Sequence, residues 1–150
     1  MSAPPPPDTI DITVQRRFSA PAERVFDAWL TPRLLGQWMF GPGVRDEKVL
    51  RLDVDPRVGG RFSMLVERDG TRIDHVGEYL VIDRPHRLSF TWGIAGQSDQ
   101  DGSRVDIVIS PVPTGCVLHL AHTLPRAWAD YARRTQQGWA HMLEALHALF

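Results

Sequence analysis

The C-terminal stretch, residues 128–150, constrains the fold of this chain more than any other segment. It contains no proline, and side chains suited to burial recur in it at steps of three and four residues, as on one face of an α-helix. They are Tyr131, Thr135, Trp139, Met142, Leu143, Leu146 and Phe150. Burying large apolar side chains of this kind is worth roughly 1.5–3 kcal/mol each. The predicted helix therefore requires a large apolar surface as its partner.

Most of the remaining chain is predicted to supply that surface as β-strands, because apolar and polar residues alternate between turn signals. The strand segments are residues 10–18, 49–54, 61–68, 71–82, 87–94, 105–110 and 116–123. Two short helices follow the first strand, over residues 21–30 and from residue 31 to near residue 41, each with a proline in its first turn. This order predicts an α+β fold, in which a curved antiparallel sheet of about six to seven strands wraps around the long C-terminal helix.

Composition and charge exclude several classes of protein. The formal net charge is −1, whereas surfaces for nucleic acid or anionic lipid need clustered positive charge. Cys116 is the single cysteine, which excludes an internal disulfide and a zinc site of several cysteines. No run approaches the roughly 20 apolar residues that span a bilayer, and no signal peptide is visible. We therefore expect a cytoplasmic protein without a metal or other cofactor.

The chain is predicted to hold one domain. Residues 1–9 include prolines at positions 4–7, a composition typical of an extended arm without a core to join. We expect residues 1–9 to be flexible and residues 10–150 to fold as a single unit.

The dipeptide Asp69-Gly70 predicts a two-residue hairpin turn. Counting outward from it pairs Met64 with His75 on one face and Glu67 with Arg72 on the other, and directly opposite residues share a face. The predicted inner face is Phe62, Met64, Val66, Ile73, His75, Gly77 and Tyr79. The outer face carries two opposite-charge pairs, which indicates that it is exposed to water.

A second hairpin is predicted near the end of the sheet, with Thr114-Gly115 as its turn. This register places Ile109 opposite Leu120 and Ile107 opposite His122. The inward-facing residues of the strand at 87–94 are Leu88, Phe90 and Trp92. Three glycines without side chains, Gly77, Gly93 and Gly138, are expected to leave space beside this inner surface.

Segments spread along residues 10–150 match, in consistent order, the motifs of a known family. They are FSAPAERVFDAW (18–29), QW (37–38), RVGGRF (57–62), GEYLVIDRP (77–85), RLSFTW (87–92), LHLAHT (118–123) and GW (138–139). On these motifs the chain resembles the activator-of-Hsp90-ATPase-homologue branch of the START-like (Bet v 1-like, SRPBCC) superfamily. The resemblance implies the helix-grip fold. Met39 stands where that family often carries a second aromatic residue after Trp38.

Two histidines of the predicted inner surface, His75 and His122, are the sharpest candidates for chemistry. Each either orients a ligand or acts as acid or base, or is a core histidine hydrogen-bonded to backbone or water. The same choice applies to the hydroxyl of Tyr79, whereas Glu78 faces outward. His119 and His122 point to opposite faces of their strand and cannot chelate a metal together. No metal, nucleophile-elbow or phosphate-binding motif occurs in the sequence.

The favoured hypothesis is binding of a small hydrophobic or amphipathic ligand in a cavity between the sheet and the C-terminal helix. The residues predicted to line it are Trp38, Phe62, Met64, His75, Tyr79, Phe90, Trp92, Ile107, Leu120, His122, Trp139 and Met142. The resemblance implies two alternatives: an enzyme of the polyketide cyclase or dehydratase type that uses the cavity His or Tyr as acid and base, and an Hsp90-type chaperone module.

A binding protein is favoured over an enzyme, and no catalytic residue is assigned. We expect neither nucleic acid nor membrane as a partner and do not favour a chaperone partner. A homodimer is left open.

Overall fold

The computed structural model describes residues 9–97 and 103–150. Its strands are β1 Thr9–Phe18, β2 Lys48–Val54, β3 Arg61–Arg68, β4 Thr71–Asp83, β5 Arg87–Thr91, β6 Gly93–Ile94, β7 Arg104–Val112 and β8 Gly115–Pro125. Its helices are α1 Ala22–Asp27, α2 Pro32–Trp38, a 3₁₀ helix Arg126–Tyr131, and α3 Ala132–His147. Apart from Thr9, the arm predicted for residues 1–9 lies outside the described residues.

The strands form one antiparallel sheet in the order β1-β8-β7-β5-β4-β3-β2, with β6 paired to β4. The sheet curves around α3, and the apolar core lies between its inner face and the helices. The predicted α+β fold is therefore confirmed. The described residues form eight strands rather than six to seven, because the segment 87–94 is divided at Trp92. The backbone N–H of Trp92 donates to the carbonyl of Ser103, at 3.1 Å, and β6 then pairs with β4.

The first hairpin has the register that the sequence predicted. Met64 pairs with His75, Phe62 with Gly77 and Arg61 with Glu78. Asp69 and Gly70 both have positive φ, 52° and 77°, as a type I′ turn requires. The expectation of free space at Gly77 is wrong, because the ring of Phe62 lies where a side chain at Gly77 would be.

The predicted register of the second hairpin is wrong by two residues. Val112 pairs with Gly115, so that Pro113 and Thr114 form the turn, and Ile107 lies opposite Leu120 rather than His122. Gly115 belongs to the strand, where a Cβ would collide with the carbonyl oxygen of Phe18 in β1. The glycine permits this close approach and was mistaken for a turn residue. A shift of two residues leaves every side chain on its predicted face.

The C-terminal helix begins later than the sequence predicted. Residues 126–131 form a 3₁₀ helix, and the backbone of Trp128 is not helical (φ −98°, ψ 17°), so α3 starts at Ala132. Tyr131 is 58% exposed and does not belong to the buried stripe. The buried side chains of α3 are Trp139, Met142, Leu143 and Leu146. At the half-buried Gly138 an added Cβ would meet no atom within 4 Å.

Candidate ligand-binding interior

The side chains predicted to line a cavity lie together on the inner face of the sheet and the facing side of the helices. All of them are buried, with Met142 at the margin of the core, except Trp92, which is half-buried. Apart from the two histidines, the buried ones belong to one continuous apolar cluster, and Trp92 packs against that cluster. Among the predicted lining residues, Trp92 is therefore the most exposed, and other half-buried apolar side chains such as Leu30 and Ile73 also border the cluster.

Aromatic rings fill much of this interior. Trp92 lies 5.6 Å from Trp139 and 6.4 Å from Phe40, while Phe62 meets Phe90 edge-on at 5.6 Å. Rings at these separations are in contact. A ligand that enters here must pack between rings that shift to admit it. A cleft between described residues instead lies on the outer face of β3 and β4, near charged side chains such as Arg61 and Glu78.

His122 is held as a neutral core histidine. The indole N–H of Trp139 donates to Nδ1 of His122 at 3.0 Å. An indole nitrogen only donates, so the proton of His122 is on Nε2, which donates to Oγ of Ser103, also at 3.0 Å. Burial lowers the pKa of His122 to about 4. Because both ring nitrogens are occupied, the geometry favours a structural role for His122 over that of acid or base.

His75 keeps one ring nitrogen without a hydrogen bond from the described residues. Nδ1 lies 3.1 Å from the carbonyl oxygen of Met64, and a carbonyl only accepts, so Nδ1 carries the proton. The lone pair of Nε2 remains available, and the ring contacts Phe40 at 4.8 Å and Trp92 at 5.5 Å. Burial is the main cause that lowers the pKa of His75. Nε2 is therefore a neutral acceptor beside the half-buried Trp92.

Tyr79 lies between Phe62 and Phe90, at 5.5 and 6.2 Å. Burial, with a smaller effect from the carboxylate of Asp55, raises the pKa of its phenol. The hydroxyl therefore stays protonated at neutral pH, where it is able to donate a hydrogen bond and does not act as a base.

Trp29 and Phe40 also belong to this interior, although the sequence did not predict them as lining residues. Trp29, in the turn after α1, is 2% exposed and lies 4.6 Å from Trp38 and 6.0 Å from Trp139. Phe40 follows Met39. The family often has an aromatic residue directly after Trp38, and in this chain the next aromatic ring is that of Phe40, one position later. The apolar spacing of Val25, Phe26 and Trp29 was the available signal for Trp29, since it places them on one side of a short helix.

Replacing Trp29 or Trp38 with phenylalanine should have unequal effects on stability. The indole N–H of Trp38 donates to the carbonyl of Ala28 at 3.0 Å, whereas the buried N–H of Trp29 has no partner. Both substitutions remove similar volume, but Trp38→Phe also removes a buried hydrogen bond. We expect Trp38→Phe to cost about 1–2 kcal/mol more than Trp29→Phe. Urea denaturation of both variants measures this, and equal losses would contradict the assigned hydrogen bonds.

The loop between α2 and β2 is fastened by Glu47, a buried carboxylate that the sequence analysis did not single out. Its Oε1 accepts from Nη2 of Arg68 at 2.7 Å, and its Oε2 accepts from the backbone N–H of Gly41 at 2.9 Å and from Arg45 at 3.0 Å. The loop is also tied to α3, through a contact of 2.8 Å between Nε2 of His141 and the carbonyl of Val44. The network fixes the segment that follows Phe40 and so closes one side of the interior.

Neither a metal site nor a membrane span is found in the part of the chain that the structure describes. Residues 9–97 and 103–150 hold no group of three or more His, Cys, Asp or Glu side chains placed to bind a metal ion. Within the same ranges, no helix has the length and apolar character needed to cross a bilayer.

Comparison with known proteins gives the family. The model of the family described as "Activator of Hsp90 ATPase homolog 1-like protein" matches residues 19–150. The chain belongs to this family. The match places it in the START-like superfamily that the sequence motifs indicated, and the curved sheet around a C-terminal helix is the fold of that superfamily. No curated protein matches the chain.

Solved structures support this family assignment. A protein from Chromobacterium violaceum is 29% identical, with a TM-score of 0.77 over 93% of this chain and 95% of that one. A protein from Mesorhizobium loti is 26% identical, with a TM-score of 0.73 over 93% and 96% of the two chains. An AHSA1-like protein from Aeromonas hydrophila, 23% identical, has a TM-score of 0.76 over 93% and 90%, which shows the shared fold.

Proposed function

We propose that this protein binds a small hydrophobic ligand between the inner face of its sheet and α3. The observation that carries the proposal is the unused Nε2 of His75, a neutral acceptor set among aromatic rings beside the half-buried Trp92. Ligand sites are typically apolar and contain a few placed polar groups. The family assignment is consistent with this function, because the START-like fold is a ligand-binding fold.

The arrangement around His75 indicates how a ligand is recognised. The rings of Phe40 and Trp92 flank the imidazole and provide flat apolar surfaces for an aromatic ligand. A hydroxyl on that ligand donates to Nε2, which gains a partner without burying a charge. A hydrogen bond of this type contributes about 0.5–1.5 kcal/mol, or roughly a twofold to tenfold gain in affinity.

The proposal is tested with 2-naphthol and naphthalene, which share a ring system and differ in the hydroxyl. Both are expected to raise the melting temperature, because a ligand that binds only the native state stabilises it. Binding of 2-naphthol should be about twofold to tenfold tighter, and His75→Phe should remove this difference. His119→Phe is the matched control, since His119 is exposed on β8. If neither compound changes the melting temperature at saturating concentration, the binding proposal is wrong.

The acid–base alternative has less support. Both nitrogens of His122 are engaged and the phenol of Tyr79 stays protonated, so Nε2 of His75 is the one candidate left to act as a base. Burial lowers the pKa of His75, which makes it a weaker base than an exposed histidine. The family description names an Hsp90 ATPase activator, but no feature of the described surface favours such a partner. Affinity capture with a purified Hsp90-type ATPase tests that alternative directly, and a stable complex would favour it over the ligand-binding proposal.

A further inference from the structure

We propose that the indole N–H of Trp29 is the anchor that recognises the ligand, and that the ligand therefore carries a neutral carbonyl oxygen on a flat apolar body. This inference rests on the proposed ligand-binding function and specifies the chemistry of the ligand. It concerns a residue that is separate from His75 and lies deeper in the interior.

Trp29 is distinguished from its neighbours by an unsatisfied donor. Trp38 and Trp139 both donate their indole N–H groups, to the carbonyl of Ala28 and to Nδ1 of His122. The N–H of Trp29 is fully buried and has no hydrogen-bond partner. Among the fully buried side-chain donors of the described residues, it shares this condition only with Nε of Arg16. Buried donors are nearly always paired, and an unpaired one carries an uncompensated desolvation cost.

The surroundings of Trp29 indicate what kind of acceptor fits. The aromatic rings in contact with Trp29 are those of Trp38, Phe90 and Trp139. A buried water needs two to four polar partners, and these rings provide no strong acceptor. The face of Trp38 offers only a weak N–H···π contact. A ligand oxygen that accepts a hydrogen bond from this N–H is therefore favoured when the rest of the ligand is apolar and packs against the same rings.

The acceptor oxygen is expected to be neutral. The rings that contact Trp29 carry no positive charge. Arg45 and Arg68, whose charges act on His75, are already paired with Glu47. Burying an uncompensated carboxylate is far more costly than burying a ketone, ester or lactone oxygen that receives one hydrogen bond.

A series of ring contacts links Trp29 to the half-buried Trp92. The half-buried Trp92 contacts Trp139 at 5.6 Å, and Trp139 contacts Trp29 at 6.0 Å. Trp29 is thus two ring contacts away from this half-buried side chain. A ligand of two or three fused rings is of this size, and its carbonyl oxygen is expected to face Trp29.

The matched probes are 9-fluorenone and fluorene, which have the same fused skeleton and differ in a single carbonyl. We expect fluorenone to bind the wild-type protein about threefold to tenfold more tightly than fluorene. Trp29→Phe should abolish the preference, while Trp38→Phe, which removes an N–H already bonded to the backbone, should retain it. Quenching of tryptophan fluorescence gives the dissociation constants.

A second measurement uses the wild-type protein alone and so does not depend on whether a variant folds. In the ¹H–¹⁵N spectrum of the wild-type protein, the indole signal of Trp29, identified through its proximity to Trp38, should move downfield with fluorenone and not with fluorene. Equal affinities for the two probes, with an unmoved Trp29 signal, would overturn the anchor and leave the binding function standing. Binding of neither probe would overturn the proposed function, and the anchor with it.

Discussion

Replacing Glu47 with glutamine is expected to destabilise the protein by about 2–3 kcal/mol at pH 7. The side chain of Glu47 has no exposed surface, and it accepts hydrogen bonds from two arginines and one backbone N–H. The NH₂ group of glutamine cannot accept a hydrogen bond, so at least one of these three donors loses its acceptor. Breaking a buried ion pair costs about 3–5 kcal/mol, and we reduce this figure because Arg45 and Arg68 are 27% and 37% exposed.

The same substitution should change how stability depends on pH. Burial by itself raises the pKa of Glu47, but the hydrogen bonds from Arg68 and Gly41 and the charge of Arg45 outweigh it and hold the pKa below its ordinary value of 4.5. A carboxyl with a lowered folded-state pKa stabilises the protein above its unfolded-state pKa, and that contribution is lost as the pH falls through the folded-state pKa. The difference between wild type and Glu47→Gln should therefore be constant above pH 5 and shrink below about pH 4.5.

Asp27→Asn provides the matched control for Glu47→Gln. Asp27 also binds an arginine through two contacts, to Arg84 at 2.8 and 2.9 Å, but the two side chains are 48% and 54% exposed. Exposed pairs contribute about 0–1 kcal/mol. Urea denaturation at several pH values measures both variants. Similar losses for Asp27→Asn and Glu47→Gln would show that burial does not determine the contribution of the Glu47 network.

Replacing Trp139 with alanine is expected to have the largest effect, about 3–5 kcal/mol of stability. Trp139 is 2% exposed, and its ring contacts the rings of both Trp29 and Trp92. The substitution opens a cavity at the centre of the aromatic cluster and leaves Nδ1 of His122 without its donor. The pKa of His122 should then rise from about 4 toward the ordinary value for histidine, because water reaches the ring.

Two further variants separate the contributions of Trp139. Trp139→Phe keeps an aromatic ring and removes the N–H, so we expect an intermediate loss of about 1–3 kcal/mol. Trp128→Ala changes a half-buried tryptophan in the preceding 3₁₀ helix and should cost about 1 kcal/mol or less. Denaturant unfolding gives the stabilities, and NMR titration gives the pKa of His122. A loss in Trp139→Ala no larger than in Trp128→Ala would be inconsistent with a central role for Trp139.

The inner face of the sheet was predictable because the evidence for it is local. The turn at Asp69-Gly70 fixes which residues of β3 and β4 are opposite each other, and the two-residue period of a strand then assigns every side chain to a face. The correct placement of His75 and Tyr79 on the inner face followed from that count. The same reasoning gave the wrong register at the second hairpin, because Gly115 serves a contact with Phe18, which is distant in sequence.

The burial of Glu47 and the hydrogen bonding of the interior tryptophans depend on contacts between residues that are distant in sequence. Nothing near Glu47 in the sequence indicates burial, because Arg68 reaches it only when β3 lies beside the α2–β2 loop. The three tryptophans 29, 38 and 139 look equivalent as apolar residues, yet their indole N–H groups differ in whether a partner is present.

The sequence by itself determined the order of helices and strands, the inner face of the sheet and the apolar face of the final helix, since these follow from residue periodicity and turn chemistry. Only the tertiary structure decided which polar atoms of the interior keep unused hydrogen-bonding capacity. That capacity depends on the positions of individual donors and acceptors to within an ångström, and residues far apart in the chain set those positions.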